Sequence, residues 1–148
     1  MNHQEHKKLL AALSEFATTT NVIVMEMGNI AYNQTMDNFT KQGYTDETLT
    51  KWKDRKYTEK GRGSRGILMG KGTGTSGLKG SYRKVRRSAL AISIVNNKVY
   101  SSVHNEGLRA GRGRGFIMPE RKMIGDSALM RRNIYKMINT NIRKIWQS

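Results

Sequence analysis

Three short motifs in the chain contain residue types that could perform chemistry. His104-Asn105-Glu106 places a titratable base beside a carboxylate, as a general base or a pair of metal ligands requires. The glycine spacing G-x-G-x-x-G of dinucleotide-binding loops occurs at Gly72-Thr73-Gly74-Thr75-Ser76-Gly77. The end of a phosphate-binding loop is suggested by Gly70-Lys71-Gly72.

None of the three motifs has the neighbours that its chemistry needs. Catalysis or metal binding at His104 would need further convergent groups, yet the other histidines lie near the N-terminus. A dinucleotide site needs an acid about 20 residues on, and no acid follows before Glu106. A phosphate loop would need glycine at the position of Arg65 and Ser or Thr after Lys71. We therefore predict no enzyme activity, no cofactor and no metal site.

The composition points to a binding partner rather than to a substrate. The 148 residues fit one domain, and 27 Lys and Arg against 11 Asp and Glu give a formal charge of +16. Such a charge favours a polyanion or an acidic protein surface as the partner. The chain has no Cys, which excludes disulfides and thiolate metal sites. It also lacks the roughly 18-residue apolar run of a membrane helix and the apolar core of a signal peptide, so we expect no membrane association.

The basic residues are concentrated in one part of the chain. Between Lys60 and Asn105 there are ten Lys or Arg and no Asp or Glu. A long acid-free stretch favours a surface that faces a polyanion, although a solvated face and edge strands guarded against unwanted pairing are alternatives. The predicted interface or DNA-facing residues are Arg62, Arg65, Lys71, Lys79, Arg83, Lys84, Arg86, Arg87, Arg109, Arg112 and Arg114.

The hydrophobic pattern predicts an α+β fold, with a small antiparallel sheet packed by N-terminal helices and a C-terminal amphipathic helix. Two helices are expected over 3–16 and 22–42, separated by the potential N-cap residues Thr18 to Asn21. Ser81 to Ser88 should form an edge strand. Ala89 to Gly107 should form a hairpin that turns at Asn96-Asn97. The last helix should start after Ser127.

These elements suggest a single domain over residues 1–148. It would consist of a helical part at 1–43, a glycine-rich basic loop region at 44–80, an antiparallel sheet with a basic loop at 81–125, and a C-terminal helix at 126–148. The loop region is unusually long for a compact domain, with eight glycines from Gly61 to Gly80, which suggests a functional role or ordering on assembly. Trp52 is interpreted mainly as a hydrophobic lid on a small core.

Several short motifs follow one another in a recognisable order. The most specific is Tyr-x-x-x-His-Asn-x-Gly at Tyr100–Gly107, followed by Pro-x-Arg at Pro119–Arg121 and by Ile124-Gly125. Upstream of them come Phe39, Gly43-Tyr44, Trp52-Lys53 and Thr75-Ser76-Gly77-Leu78. Over roughly residues 30–145 the sequence resembles the virion morphogenesis family of tailed phages, which includes tail-completion and head-to-tail joining proteins. Ser101, Met123 and the inserted Ser76 depart from the family pattern.

The resemblance implies a structural virion protein without catalysis, made in the bacterial cytoplasm. Such proteins form rings, here expected to be hexamers, at the neck or the head-proximal end of the tail. The implied partners are further copies of the chain, neighbouring neck, connector or tail proteins, and duplex DNA passing through the ring without sequence recognition. Residues assigned a structural role in the shared motifs are Trp52, Tyr100, His104, Asn105, Gly107, Pro119, Arg121 and Gly125. A stand-alone basic nucleic-acid-binding module, associated with ribosomes or chromosomes, is the alternative.

Overall fold

The structure is a computed structural model. It describes residues 3–55, 66–70 and 77–147, with side chains described for residues 4–55, 66–70 and 77–144. The helices in this part of the chain are α1 (His3–Lys41), α2 (Ser101–Glu106) and α3 (Ala128–Gln147), with a 3-10 turn at Lys79–Ser81. Its strands are β1 (Gly43–Thr45), β2 (Leu49–Lys51), β3 (Tyr82–Ser88), β4 (Ala91–Asn96), β5 (Arg109–Ala110) and β6 (Phe116–Ile117). The predicted α+β class is confirmed.

The N-terminal region is one helix rather than two, so the predicted interruption at Thr18 to Asn21 is wrong. The hydroxyl groups of Thr18 and Thr20 donate to the carbonyls of Ser14 and Phe16, one turn earlier, at 2.9 and 2.8 Å. These hydroxyl groups therefore form hydrogen bonds within the helix instead of capping a second helix. The helix ends at Lys41, and Gln42 takes the left-handed conformation that follows the end of the helix.

The strands form three separate antiparallel pairs among the described residues: β1 with β2, β3 with β4, and β5 with β6. In the longest pair, Tyr82 lies opposite Asn96 and Lys84 lies opposite Ile94. The strand predicted over Ser81–Ser88 is thus present as Tyr82–Ser88, and its partner is β4 with the turn at Ala89-Leu90. The predicted hairpin over Ala89–Gly107 is wrong because its second strand is α2. The Asn96 side chain accepts the N–H of Lys98 at 2.9 Å, which turns the chain into this helix instead of back along β4.

The core lies where the C-terminal half of α1 meets β3 and the segment after β6. It contains the buried residues Phe39, Trp52, Leu78, Tyr82 and Met123. The rings of Phe39 and Trp52 pack edge to face with centroids 5.5 Å apart. Trp52 therefore belongs to the core, in agreement with its interpretation as an apolar anchor.

The C-terminal helix α3 runs antiparallel to α1. Near its start the N–H of Leu129 donates to the carbonyl of Asp46 at 3.2 Å, and near its end Asn141 donates to Glu26 at 2.9 Å. Ser127 caps the helix as predicted, because its hydroxyl accepts the N–H of Met130 at 3.2 Å. The described part of the chain has no helix long and apolar enough to cross a membrane.

Candidate functional site

The Tyr100–Gly107 motif forms α2 and its C-terminal cap. Gly107 adopts the left-handed conformation with φ of 66°, and its N–H donates to the carbonyl of Val103. A Cβ at this position would also lie 3.1 Å from Cβ of Glu120. Both the conformation and the close approach require glycine, so this residue sets the direction in which the chain leaves α2.

Two adjacent residues of α2 hold the segment that follows β6. The carbonyl of His104 accepts the N–H of Arg121 at 2.7 Å. The side-chain oxygen of Asn105 accepts the N–H groups of Met123 and Ile124 at 2.9 and 3.1 Å. We call residues 119–125 the clasped segment, because it receives hydrogen bonds from several elements.

Side chains from the N-terminal half of the protein bind the same segment from the other side. The indole N–H of Trp52 donates to the carbonyl of Lys122 at 2.8 Å, and the amide of Asn38 donates to that of Met123 at 3.0 Å. The guanidinium of Arg121 in turn donates to the carbonyls of Lys53 and Asp54 at 3.0 and 3.3 Å. These bonds join α1, the chain after β2 and the clasped segment into one unit.

Arg121 is only 6% exposed, so its guanidinium forms contacts inside the protein and is not available to a partner surface. Burial lowers the pKa of this guanidinium, and the nearby charge of Arg55 lowers it further. The group remains a cation at neutral pH because arginine starts from a very high value. Its two carbonyl acceptors supply partial negative charge, and the carboxylate of Asp54 also favours the cation.

The remaining motif residues surround the same unit. The ring of Tyr100, itself 44% exposed, meets the His104 ring edge to face with centroids 6.1 Å apart. Pro119 is half-buried at the start of the clasped segment. A Cβ on Gly125 would lie 2.3 Å from the Lys122 side chain, and the hydroxyl of Tyr44 is also near. The structure thus brings Trp52, His104, Asn105 and Arg121 together, with the other motif residues beside them.

His104 is placed as a packed ring rather than as a reactive base. Its Nδ1 is buried and has no hydrogen-bond partner in the described part of the chain. Burial lowers the pKa of His104, and the positive charge of Arg121 lowers it further, so the neutral imidazole is favoured. The neighbouring Glu106 is exposed. Across residues 3–55, 66–70 and 77–147 there is no group of three His, Asp or Glu side chains that could hold a metal ion.

The four basic residues of β3 divide between its two faces. Lys84 donates to the side chain of Asn29 and lies 5.5 Å from the centre of the Tyr32 ring, and Arg86 donates to Asn21. Both therefore cover α1. Arg83 alternates with Lys84 along the strand and lies on its other face, whereas Arg87 lies at the irregularity between Arg86 and Ser88. Both residues are exposed.

A second group of exposed arginines lies on the short β5–β6 hairpin. Arg109 donates to the carbonyl of Arg114 across the loop, and Arg112 lies in the turn between them. Lys79 is elsewhere, half-buried with its ammonium 3.5 Å from the hydroxyl of Thr40. Arg62, Arg65 and Lys71 lie outside the described residues. The predicted basic set is therefore not one surface, since Lys84 and Arg86 contact α1 whereas Arg83, Arg87, Arg112 and Arg114 face outward.

Sequence reasoning missed the buried polar residues of α1 that bind the neighbouring segments. Asn38 is 1% exposed and accepts the N–H of Thr45 at 3.0 Å while donating to Met123. The amide of Gln34 donates to Ser127 at 2.6 Å and to the carbonyl of Thr45 at 2.8 Å. The spacing of these residues could have indicated their burial. Asn38 follows Ala31 and Thr35 at steps of 4 and 3 residues, so all three lie on the side of α1 that faces the core.

The clasped segment, α2 and Trp52 are the elements that carried the family resemblance. A family model for the phage virion morphogenesis family matches residues 1–143. The chain belongs to this phage virion morphogenesis family. The resemblance found in the sequence is confirmed, and the match extends to the N-terminal residues that the motifs did not cover. Neither the curated proteins nor the solved structures gave a match.

Membership in the phage virion morphogenesis family assigns a role in the structure or assembly of a bacteriophage virion. The virion is accordingly the location that the family implies. The family is one of morphogenesis and is not known as enzymatic, which agrees with the prediction of a structural protein.

Proposed function

We propose that this phage virion morphogenesis protein forms a ring at the head–tail junction, as a neck, tail-completion or tail-terminator protein. The ring joins head and tail and surrounds the path of the DNA. Six copies is the number that the resemblance to tail-completion proteins implies. The observation that carries the proposal is the family match over residues 1–143, and the exposed arginines of β3 and of the β5–β6 hairpin are compatible with it.

Self-assembly is supported by the distribution of exposed apolar side chains. A ring needs two different complementary faces on each copy, because each copy contacts its neighbours through unlike surfaces. Large apolar residues are exposed at the N-terminal end of α1, as in Phe16, and on the β5–β6 hairpin, as in Ile117. Contiguous exposed apolar groups are typical of surfaces that contact another protein.

Contact with DNA is supported by the outward arginines. Arg83 and Arg87 on β3, and Arg112 and Arg114 on the β5–β6 hairpin, are exposed cations that could approach phosphates. Phosphate contacts position a protein on DNA without reading its sequence, which suits a channel that must pass any sequence. The same charges could instead dock on an acidic surface of a neck, connector or tail protein.

The role at the junction is tested by interrupting the gene in the phage or prophage that encodes it. We expect DNA-filled heads and separate tails in electron micrographs, and joined particles after purified protein is added to the extract. Complete virions in the absence of the protein would contradict the proposal. As a second readout, gold-labelled antibody should mark the junction in wild-type particles.

The alternative function is a stand-alone nucleic-acid-binding module, which the formal charge of +16 favours. Sizing chromatography at low and high salt, with and without duplex DNA, separates the two functions. A ring protein self-assembles or remains a monomer that awaits its partners. Tight, salt-sensitive DNA binding by a monomer that never self-assembles would support the module.

A further inference from the structure

The first part of α1 leaves its large apolar side chains exposed. Every residue from 4 to 18 is exposed, and Leu9, Leu10, Leu13 and Phe16 are among them. Phe16 alone leaves 67% of its surface exposed. We call residues 4–18 the arm. Isolated helices of this length are marginal in water, so an arm with an apolar side is expected to be covered.

The apolar side of the arm continues the buried side of the same helix. Leu10, Leu13 and Ala17 follow one another at steps of 3 and 4 residues, and Val24 lies seven residues further along. Gly28, Thr35 and Asn38 extend the same steps. Residues on this stripe are buried from Val24 onward by the rest of the chain, and exposed before it. The arm therefore continues a stripe that faces the core further along α1, and no described residue of the same copy buries this part of it.

The charge of the arm favours a second copy of this chain as that covering element. The arm contains two Glu and two Lys, so the whole formal charge of +16 lies in the rest of the chain. Two such bodies repel each other through most of their surfaces. A neutral apolar helix is the part that can approach a basic neighbour without that repulsion.

A receiving surface of matching chemistry exists on the β5–β6 hairpin. Phe116 and Ile117 are both exposed, with Ile117 at 71%, and as consecutive residues of β6 they project from opposite faces of the hairpin. Leu108 is exposed directly before β5. Arg112 and Arg114 flank these apolar residues. The hairpin thus offers apolar area with a cationic margin, which suits an uncharged helix better than a second basic surface.

The arm cannot reach the hairpin of its own copy. The hairpin is joined to the clasped segment, whose Lys122 carbonyl binds Trp52, and Trp52 packs on Phe39 near the C-terminal end of α1. Leu13 and Phe39 are 26 positions apart in one helix, which corresponds to about 39 Å along its axis. Contact between these surfaces therefore requires two copies, and each copy carries both surfaces.

We infer that the arm of one copy docks, through Leu9, Leu10, Leu13 and Phe16, on the β5–β6 hairpin of the next copy. The two surfaces are unlike and lie towards opposite ends of α1, so the contact is head to tail and can close into a ring. The inference rests on the self-assembly contained in the proposed function. To that self-assembly it adds which two surfaces of neighbouring copies are in contact.

The absence of Cys from the chain allows a direct test by disulfide trapping. Two full-length variants, Leu13→Cys and Ile117→Cys, are purified separately, mixed and oxidised with copper phenanthroline. We expect a disulfide-linked dimer containing one chain of each variant. Ala11→Cys, on the other side of the arm, mixed with Ile117→Cys is the matched control. Leu13→Cys mixed with Leu90→Cys, at the exposed β3–β4 turn, controls for non-specific contact between apolar sites.

Light scattering of a Leu10→Gln, Leu13→Gln variant gives the second readout. Both residues are exposed within one copy, so the variant should still fold with a cooperative melting transition while the oligomer, and the stability that assembly adds, are lost. Assemblies that form without the Leu13–Ile117 cross-link above the controls, or that survive this variant, would overturn the inference and leave the ring proposal standing. A chain that stays monomeric at every concentration and gives no cross-link also overturns it, and gene interruption then decides the junction role independently.

Discussion

The side-chain oxygen of Asn105 lies 2.9 Å from the backbone nitrogen of Met123, a residue with no exposed surface. The same oxygen also accepts the N–H of Ile124. One acceptor on α2 thus satisfies two consecutive backbone donors of the clasped segment, which has no regular secondary structure of its own.

Removing this acceptor should destabilise the protein. Asn105→Ala leaves two backbone N–H groups without their partner, and we expect a loss of about 1–3 kcal/mol in the free energy of unfolding. Urea denaturation followed by tryptophan fluorescence measures it, because Trp52 binds the same segment. Asn105→Asp keeps an acceptor oxygen at this place and should lose less. Equal stability of the Ala variant and wild type would show that the two bonds contribute nothing net.

Stability should decrease on acidification through His104. The pKa of this group is below its ordinary value of 6.5 in the folded protein, through burial and the charge of Arg121. The unfolded chain therefore binds the proton first as the pH falls through about 6.5, and stability is lost until the folded pKa is passed. We expect a lower melting temperature at pH 5 than at pH 7.5.

The matched variant for that effect is His104→Phe. It keeps an aromatic ring against Tyr100 and removes both the titration and the unpartnered Nδ1. The difference in melting temperature between pH 5 and pH 7.5 should shrink in this variant. An unchanged difference would assign the pH dependence to other groups.

Gly28 should be required where α1 meets β4. A Cβ at this position would lie 2.3 Å from Cδ1 of Ile92 and within 3.2 Å of two further atoms of the same side chain. Gly28→Ala gains helix propensity of about 1 kcal/mol, but we expect a net loss because forcing a methyl into a packed contact costs about 1–3 kcal/mol.

Ile92→Val removes the closest atom, so thermal melting of the two single variants and the double variant forms a complete cycle. Gly28→Ala should be less harmful, or stabilising, in the Ile92→Val background. Additive effects of the two substitutions would indicate that a side chain at position 28 does not clash with Ile92.

The two faces of β3 should differ in their contribution to DNA binding. Arg83→Gln with Arg87→Gln removes two exposed charges, and the slope of log K against log salt should fall in magnitude by about 2, since each phosphate contact contributes about 0.9. Fluorescence anisotropy with a labelled duplex at several salt concentrations measures the slope. Lys84→Gln with Arg86→Gln is the control pair, which should lower stability through lost contacts with Asn29 and Asn21. Equal slopes for both pairs would contradict a DNA-facing role of the outer face.

The sequence predicted the elements that local patterns define. The C-terminal helix, its Ser127 cap and the strand predicted over Ser81–Ser88 were found because periodicity and capping are local properties. This strand is an edge strand as predicted, since it pairs with β4 alone, but that pairing was missed. The contacts of Lys84 and Arg86 with the asparagines of α1 were also missed, because the pattern of the strand does not indicate them.

The errors in the N-terminal half also arose because the outcome depends on contacts outside the local sequence. Threonine can cap a helix or bond back to the preceding turn, and the choice at Thr18 and Thr20 depends on the whole of α1. In the candidate site, the motifs located His104, Asn105 and Arg121, but the bonds from Arg121 to Lys53 and Asp54 join residues more than sixty positions apart. No local pattern specifies such a pairing.

Because α1 is one uninterrupted helix, residue count alone fixes where the arm points. Each residue advances the helix by about 1.5 Å and rotates it by about 100°. One residue deleted between the arm and Val24 would swing the apolar stripe a quarter turn or more away from the neighbouring copy. Seven residues inserted there would nearly keep the direction and lengthen the reach by about 10 Å. The length and phase of α1 therefore help to set the angle between neighbouring copies. This angle determines how many copies close a ring, so the helix matters as much as the chemistry of the contact.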